Sequence, residues 1–381
     1  EPLRGVIAEG KHLSQIVHFG DQQVFAGATT YTCLLFLEKS PTETFTYEEA
    51  WDLAAWRKNG LSKASSVASD KATSAEWNFV VGSGGDLFDR LASMPTKLVD
   101  VTDRIFQGLK TGGDSVFIVD LIERKEDSLR VFSHQSKSEF TVEPALFHPL
   151  IKGGDSRQYS LSRTSRLILF PYESDGSSNT LLSDKYLKRS YPLTWAYLQH
   201  YKSYLESRER GRFKGVGWYC YTRNQALDVI SRPKIFTPDI ALKASFSLDA
   251  EGDIFFTGGV AGGYGIVVAQ GHNREYVLGL LNSKLLDWYL KQLAPQMRRG
   301  YYSYESRFIR NLPIRAIDPK SKSDLAARDN VTIHTRTCGF GVYDHGYVLA
   351  DERVADHTPG DGRPKHRLWR IRAGRIVSAT G

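Results

Sequence analysis

The stretch DRIFQGLKTGGDSVFIVDLIE, residues 103–123, decides how the fold is interpreted. Apolar and β-branched residues fill both halves, and Gly-Gly-Asp separates them, a pattern typical of a β-hairpin. Short apolar runs of the same kind recur along the chain, without the regular alternation of strand and helix that marks a parallel sheet. The pattern therefore predicts an α+β fold of mixed sheets and hairpins.

Two longer segments are expected to be helices that interrupt these strands. Pro192 stands at a first helical position and opens LTWAYLQHYKSYLESRER, residues 193–210. Residues 276–293, YVLGLLNSKLLDWYLKQL, have apolar positions at helical spacing. Their common face would comprise Val277, Leu281, Leu285 and Trp288.

The opening of the chain has a different character. TYTCLLFL, residues 30–37, is apolar almost throughout, which indicates a strand buried on both faces in the central sheet of an α/β domain. Residues 47–58, YEEAWDLAAWRK, have the acidic start and apolar spacing of a helix, and the Ser/Ala/Lys-rich residues 62–74 are expected to be a linker. Because the first residue is Glu1 rather than Met, we expect a piece of a longer chain whose other strands precede it.

Composition limits the classes of function. Of the 381 residues, 41% are apolar and 24% charged, as in ordinary globular proteins, and no apolar run is long enough for a membrane span. Three cysteines without paired spacing predict neither disulfides nor a zinc site, and they fit a reducing cytoplasm. The formal net charge of +7 favours a polyanionic partner such as nucleic acid.

Motifs for chemistry are sparse. No Pro-Pro dipeptide occurs, although an adenine-specific methyltransferase needs one to hold the target amino group, and no glycine-rich loop stands between a strand and a helix. Asp120, Glu123 and Lys125 have a spacing that suits a metal-dependent nuclease, but a solvated hairpin end explains them better. The histidines lack paired-ligand spacing, so no metal site is predicted.

Basic residues interleaved with aromatic ones give the strongest signal of function. In residues 296–314, Arg298 and Arg299 stand beside Tyr301 and Tyr302. Guanidinium groups can pair with phosphates or with the major-groove edge of guanine, and tyrosines can donate hydrogen bonds and stack. A solvated basic loop with tyrosines packed inward is the alternative, and the sequence does not decide between them.

Two Gly-Gly-Asp loops have a similar character. Lys110 and Thr111 precede the first pair of glycines, and Lys152 and Arg157 flank the second. Successive glycines allow backbone amides and a nearby lysine to approach a phosphate closely. As ordinary turns, the same loops would need no function.

The order of these motifs carries a resemblance. Residues 105–119, 146–159, 232–241 and 276–314 together resemble the TaqI-like C-terminal specificity domain of adenine-specific DNA methyltransferases and type IIG restriction-modification enzymes. The resemblance covers roughly residues 100–315. It implies that this part of the chain recognises double-stranded DNA.

The opening residues 12–37 look like the last strands of the catalytic domain of the same enzymes. In that family an aromatic residue near this strand pair stacks on the adenine once it is flipped out of the duplex, and Phe25 occupies the matching place. A core aromatic residue at a strand start is the alternative. The family's motifs for S-adenosylmethionine and for catalysis would precede Glu1, so we expect this piece to hold no cofactor and no catalytic residue, although the parent protein would use S-adenosylmethionine.

These observations predict four segments: 1–60, the end of a methyltransferase catalytic domain; 61–99, a linker and helical connection; 100–315, the target recognition domain; and 316–381, a divergent tail. The expected function is sequence-specific DNA recognition for adenine N6 methylation in a bacterial or archaeal restriction-modification or phage-defence system. The expected partners are duplex DNA and a catalytic methyltransferase portion or subunit, in the cytoplasm. Retained metal-dependent nuclease activity and a protein-binding scaffold are the alternatives.

Overall fold

The protein is described here from a computed structural model. The described residues are 2–28, 30–74, 77–80, 84–162, 164–174, 179–259, 261–315, 337–343, 347–353 and 366–372. Contacts divide the chain into two compact units, Glu1–Ile314 and Arg315–Thr380. None of the helices in the described ranges combines the length and apolar character needed to cross a membrane.

The N-terminal part of the first unit is a four-stranded sheet with three short helices. In chain order the elements are α1 (Pro2–Glu9), β1 (Leu13–His18), β2 (Cys33–Leu37), β3 (Thr44–Glu49), α2 (Leu53–Asn59), β4 (Lys63–Ala68) and α3 (Gly85–Ala92). The strand order is β2-β1-β3-β4, with β1 parallel to β3 and the other pairs antiparallel.

The apolar strand β2 is exposed, and the expectation of burial on both faces was wrong for the described structure. All five of its side chains are exposed, and Leu34, Leu35, Phe36 and Leu37 each show 41–50% of their surface. The physical reason is position: β2 is an edge strand that pairs only with β1.

Two further expectations for this region were wrong. Residues 47–49 of the expected helix instead end strand β3, because the alternating Thr, Phe and Tyr side chains of 44–49 fit a half-buried strand. The helix α2 begins only after Asp52, whose carboxylate accepts a hydrogen bond from Ala55 N at 2.9 Å. Residues 63–68 of the expected linker form strand β4, which pairs with β3 along its whole length.

Among its described residues, the rest of the first unit contains a six-stranded sheet and a second four-stranded sheet, which we call the two large sheets, and seven α-helices. In chain order these elements are β5 (Thr102–Gln107), α4 (Asp114–Phe117), β6 (Ile118–Arg124), β7 (Leu129–Ser133), β8 (Ser138–Val142), β9 (Phe147–Ile151), β10 (Ser156–Arg157), β11 (Ser160–Leu161), β12 (Arg166–Leu169), β13 (Tyr172–Ser174), β14 (Asn179–Leu181), α5 (Asp184–Ser190), α6 (Pro192–His200), α7 (Lys202–Gly211), β15 (Lys234–Pro238), β16 (Ile240–Ala241), β17 (Ser247–Asp249), β18 (Phe255–Phe256), β19 (Gly263–Val268), α8 (Arg274–Leu281), α9 (Lys284–Leu293), β20 (Tyr302–Ser303) and α10 (Ser306–Ile309).

Each large sheet has its own hydrophobic core. The six-stranded sheet, in the order β18-β9-β12-β6-β7-β8, packs with residues of α5, α6 and α7 around buried side chains such as Phe117, Ile168 and Leu198. The four-stranded sheet, in the order β17-β15-β19-β5, packs with residues of α8, α9 and α10 around Ile266 and Leu290. The expected α+β class of mixed sheets and helices is confirmed.

The hairpin expected in residues 103–123 does not form. Strand β5 pairs with β19 of the four-stranded sheet, whereas β6 pairs with β7 and β12 of the six-stranded sheet. The intervening Gly-Gly-Asp does not close a two-residue turn, because Asp114 begins the short helix α4. This stretch therefore connects the two sheets.

The two expected long helices are each divided. Between α6 and α7 the helical geometry is interrupted at Tyr201, and near the end of α7 Arg208, Glu209 and Arg210 leave helical geometry altogether. Between α8 and α9, Asn282 is fully buried and its side-chain amide makes two hydrogen bonds with the backbone of Phe246.

The second break changes which side chains are buried. Ser283 caps α9 by accepting a hydrogen bond from Leu286 N at 3.1 Å. Because the helix axis restarts there, Val277 and Leu281 are buried while Leu285 is 45% exposed. The single apolar face expected across residues 276–293 therefore does not exist.

The second compact unit contains one antiparallel sheet among its described residues. Its strands are β21 (Thr337–Tyr343), β22 (Tyr347–Arg353) and β23 (His366–Arg372), paired in that order. The tail expected at 316–381 falls in this unit, and its residues 316–336 lie outside the described residues.

Candidate nucleic-acid interface

Loops from distant parts of the chain are joined by backbone hydrogen bonds at one edge of the two large sheets. Leu109 N donates to Phe256 O at 3.0 Å, and Gly258 N donates back to Leu109 O at 2.9 Å. Gly153 N donates to Ala261 O, also at 3.0 Å. Both Gly-Gly-Asp loops therefore lie against the glycine-rich residues 257–262.

The same edge continues to residues 296–314, which are rich in Arg and Tyr and which we call the Arg–Tyr segment. Asp239 N donates to Gly262 O at 3.2 Å, and Tyr304 N donates to Asp239 O at 2.8 Å. We call the loops at 108–114, 152–155, 238–239, 257–262 and 303–307 the loop edge. Three of these loops begin directly after a strand: the loop at 108 after β5, the loop at 152 after β9 and the loop at 257 after β18. The loop at 238 begins at the last residue of β15.

Lys110 lies near the middle of the loop edge. Its Nζ is 3.1 Å from the position that a Cβ on Gly259 would take, so this lysine reaches across to the neighbouring loop. Asp239 is only 7% exposed, and burial together with the nearby Glu305 raises the pKa of its carboxyl, whereas Lys110 opposes the rise. The edge thus presents positive and negative groups side by side.

Tyr264 also faces these charges. Its burial raises its pKa to about 12, with further contributions from Asp239 and Glu305. Its hydroxyl accepts a hydrogen bond from Gln107 Nε2 at 3.5 Å. The phenol therefore stays protonated at neutral pH and can donate a hydrogen bond.

Thr111 is placed inside its loop. Its side chain is 1% exposed, donates to the carboxylate of Asp114 and accepts from Gly113 N at 3.0 Å. A Cβ on Gly112, whose φ is +64°, would lie 2.0 Å from Thr222 Cγ2. Thr111 and Gly112 thus fix the shape of the loop that carries Lys110.

Lys152 and Arg157 flank the second loop. Lys152 N donates to Asp155 Oδ2 at 2.7 Å, and Asp155 in turn forms an ion pair with Arg166. The guanidinium of Arg157 donates to Gly154 O at 2.6 Å and to Ser156 O at 2.8 Å. Arg157 therefore also braces its own loop, and the half-buried Lys152 side chain stands beside it.

The Arg–Tyr segment leads into the loop edge from β20. Arg299 is exposed and has a left-handed backbone with φ of 66°, while the side chain of Arg298 lies outside the described part of the structure. Tyr302 is half-buried, and its hydroxyl donates to Gln296 Oε1 at 3.2 Å. Tyr301 is half-buried as well, so the structure places these residues together but gives them different exposure.

Phe25 lies in the loop between β1 and β2, apart from the loop edge in sequence. Its side chain is 59% exposed, so it is not a core aromatic residue. The loop is held by a hydrogen bond from Arg57 to Val24 O at 3.3 Å. An exposed ring on a supported loop can stack on a planar ligand.

A cavity of about 1650 Å³ separates the N-terminal sheet from α9 and β20. Its lining includes aromatic and basic side chains from both sides, among them Tyr47, Trp77, Trp288, Lys291, Tyr302 and Arg307. The pKa of Tyr302 is raised by burial and by Asp21 and other carboxylates, among them one from the N-terminal sheet.

The described residues do not form a recognisable site for S-adenosylmethionine. Glycines precede α3, but no strand leads into them among the described residues, and a Cβ on Gly84 would lie 3.0 Å from Trp288 Cζ2. Packing against Trp288 thus accounts for Gly84.

The residues considered for a nuclease have separate partners. Asp120 Oδ2 is 2.7 Å from His134 Nε2, and Glu123 pairs with Arg130 at 3.4 Å. Lys125 lies in the exposed turn between β6 and β7. Within the described ranges, no group of three or more His, Cys, Asp or Glu side chains could hold a metal ion.

Sequence analysis missed two residues that shape the loop edge. Asp239 stands in residues 232–241, RPKIFTPDIA, but nothing in this motif indicates that its carboxyl would be buried beside Lys110 and Glu305. Arg208 was assigned to a helix, whereas its buried guanidinium donates to Thr111 O at 2.9 Å. No local pattern of the sequence indicates this contact, because the two residues are 97 positions apart.

Comparisons with known proteins agree with this arrangement. The model of the TaqI-like C-terminal specificity domain matches residues 148–314. The type II restriction enzyme and methyltransferase RM.Eco57I of Escherichia coli is 26% identical over 340 residues, covering 84% of this chain and 34% of that protein. The type II methyltransferase M.XhoI of Xanthomonas vasicola is 22% identical over 332 residues, covering 82% of this chain and 55% of that protein.

Two other similarities were found. The type IIL restriction-modification enzyme MmeI, solved in complex with DNA, has a TM-score of 0.45 and 14% identity, covering 85% of this chain and 38% of that one. Sarcosine oxidase subunit alpha of Rhizobium meliloti (strain 1021) is 41% identical over only 63 residues, 16% of this chain and 6% of that protein.

The chain thus spans about a third of RM.Eco57I and about half of M.XhoI. The matched range 148–314 contains the second Gly-Gly-Asp loop, Asp239, the glycine-rich loop and the Arg–Tyr segment, which are most of the loop edge. The expected resemblance to the TaqI-like C-terminal specificity domain is confirmed, over residues 148–314 of the expected range 100–315.

Proposed function

We propose that this protein recognises a specific sequence in double-stranded DNA as the target recognition part of an adenine-specific DNA methyltransferase of a restriction-modification or phage-defence system. The observation that carries the proposal is the loop edge, where backbone hydrogen bonds join the loops that carry Lys110 and Lys152 to residues 257–262, and these in turn to Asp239 and Tyr304. All of these loops except the one that carries Lys110 lie in the range that the specificity-domain model matches. The names of the two large relatives support the methyltransferase context.

The residues would have different tasks. Lys110 and Lys152 position phosphates, because a lysine is a compact charge with no fixed donor geometry. Arg298 or Arg299 reads a base edge, since a guanidinium can pair in two places with guanine. Arg157 and Thr111 keep the two loops in shape through the hydrogen bonds described above.

In the complete enzyme, methyl transfer would take place on the exocyclic nitrogen of a flipped adenine. Phe25 would stack on that adenine, which its exposed position on a supported loop favours. The catalytic portion would supply S-adenosylmethionine and the Pro-Pro motif that this sequence lacks. We therefore expect this chain alone to bind DNA in the cytoplasm without methylating it.

The test is selection of duplexes from a random DNA pool with the full chain, at low and at physiological salt. A short motif that is enriched at both salt concentrations supports the proposal, because non-specific phosphate binding weakens steeply with salt. Enrichment of no motif, or binding only at low salt, would contradict it. Salt-insensitive binding to a protein with negligible DNA affinity would favour the scaffold alternative.

Variants separate base reading from phosphate contact. Arg298→Ala or Arg299→Ala should relax preference at one position by about 1–3 kcal/mol if that residue reads a base. Lys152→Ala should weaken binding to all sequences alike and reduce the salt slope by about one unit. Equal binding by all three variants would rule out these roles.

A further inference from the structure

We infer that residues 210–216, RGRFKGV, form a second DNA-contacting element that inserts beside the loop edge, with Val216 at its tip. We call this segment the basic tip. The inference rests on the proposed function, since it names a further contact for the same duplex. The case is made from the anchoring of the segment, its charge and its exposed apolar end.

The basic tip is anchored to the loop edge. Arg208, two residues before its first residue, is 7% exposed and donates hydrogen bonds to four backbone carbonyls within 2.7–2.9 Å. One of these carbonyls belongs to Thr111. After the tip the chain returns to the same loop, where Thr222 N donates to Thr111 O at 3.2 Å.

The base of the tip is held by ring and ion contacts. The guanidinium of Arg208 lies over the ring of Phe213 at 4.7 Å. Glu209 pairs with Arg223 at 2.7 Å and with Arg212 at 3.3 Å. The segment is thus fixed to the body of the domain, although Glu209 and Arg210 have left-handed backbones that cost energy in residues other than glycine.

The charge of the tip matches a polyanion. Arg210, Arg212 and Lys214 are all exposed, and Glu209 is the acidic group paired with them. Within the described part of the chain, Arg210 and Lys214 have no ion-pair partner. Three cations within five residues, on a segment anchored through Arg208 to the carbonyl of Thr111, extend the phosphate-binding surface that the proposed function requires.

The end of the tip is apolar. Val216 is fully exposed and stands between Gly215 and Gly217, whose φ angles are +103° and +77°. A fully exposed valine on an anchored loop contributes no buried apolar surface to the folded protein. It could bury that surface in a DNA groove, where proteins place apolar side chains next to cations. The chemistry therefore favours duplex DNA as the occupant.

The experiment changes the charge of the tip without changing the fold. Val216→Lys should tighten binding to the selected duplex and steepen the salt slope by about one unit, so that the affinity ratio between 50 and 200 mM salt grows by about threefold. Val216→Asp should weaken binding. Because Val216 packs against nothing, neither change should alter stability.

Matched controls are Ile122→Lys and Ile122→Asp. Ile122 is also exposed and apolar, but it lies about 13 Å along β6 from α4, toward the far hairpin end. These variants should bind like the wild type. A second set, Arg210→Ala with Lys214→Ala, should reduce the salt slope by about two units.

The outcomes distinguish this inference from the proposed function. If the wild type enriches a motif but the Val216 variants bind it with unchanged affinity and salt slope, the basic tip does not contact DNA. If the wild type itself binds no duplex, the proposed function fails first. Tighter binding by Val216→Lys and weaker binding by Val216→Asp, with unchanged binding by the Ile122 controls, supports the inference.

Discussion

At the scale of single residues, His148 shows how burial makes a group sensitive to pH. Its ring stacks on Phe255 with centroids 4.1 Å apart and an interplanar angle of 1°. Burial lowers its pKa below the ordinary value of 6.5, although Asp253 partly opposes this. The unfolded chain therefore binds the proton before the folded protein does, so stability rises with pH between the folded and unfolded pKa values.

We expect His148→Phe to remove this part of the pH dependence. Relative to the variant, the wild type should lose stability as pH falls below about 6.5 and should show a constant difference at higher pH. Urea unfolding at several pH values measures this difference in the free energy of unfolding. His272→Gln, which changes an exposed histidine, should keep the wild-type profile; parallel curves for wild type and His148→Phe would contradict the assignment.

Residue types were predictable, and their partners were not. Lys110 and Lys152 stand out beside their glycines in the sequence. That Lys110 reaches Gly259 and faces Asp239 depends on sequence separations of more than a hundred residues, which no local pattern encodes. Thr111 was singled out for contact, whereas its buried hydroxyl holds the loop.

At the scale of elements, the edge strand β2 is the most exposed apolar surface of the N-terminal sheet. Its side chains Leu34 and Phe36 are 41% and 45% exposed, and one edge of its backbone has no strand partner in the described structure. Apolar edge strands of this kind pair with other chains. We expect this chain to self-associate as its concentration rises.

Leu34→Lys combined with Phe36→Lys should shift sedimentation velocity profiles toward the monomer, because charges on an edge strand oppose pairing. Leu61→Lys, in an exposed position outside the strands, is the matched control and should change nothing. A wild type that stays monomeric at high concentration would show that β2 does not pair in solution.

Strands and helices with a clear apolar pattern could be predicted from the sequence, but their burial and the residues at which they end could not. The run at 30–37 does contain a strand, yet its burial depended on neighbours and not on its own composition. The break at Asn282 escaped detection because Asn and Ser within an apolar helical pattern weaken it only slightly. The buried hydrogen bonds to Phe246, which require the tertiary fold, make the break.

At the scale of the whole molecule, the division after Ile314 can be tested directly. The end of the first unit is tied down by backbone hydrogen bonds from Ile314 N to Thr96 O at 3.0 Å and from Leu98 N to Leu312 O at 2.8 Å. A chain ending at Arg315 keeps these bonds. We expect it to unfold at the same urea concentration as the first unit of the full chain.

The shortened chain should also enrich the same DNA motif, because the loop edge lies entirely within the first unit. Loss of the motif without loss of stability would assign part of recognition to residues 316–381. Loss of both would mean that the two units do not fold separately.

The loops of the proposed recognition surface are joined through main-chain atoms: Leu109 with Gly258, Gly153 with Ala261, and Asp239 with Tyr304. Nearly every amino acid carries the same main-chain donor and acceptor. Exposed side chains on these loops can therefore be exchanged while the scaffold that holds them stays intact. Such a surface permits changes of target by a few substitutions, both in natural divergence and in the laboratory.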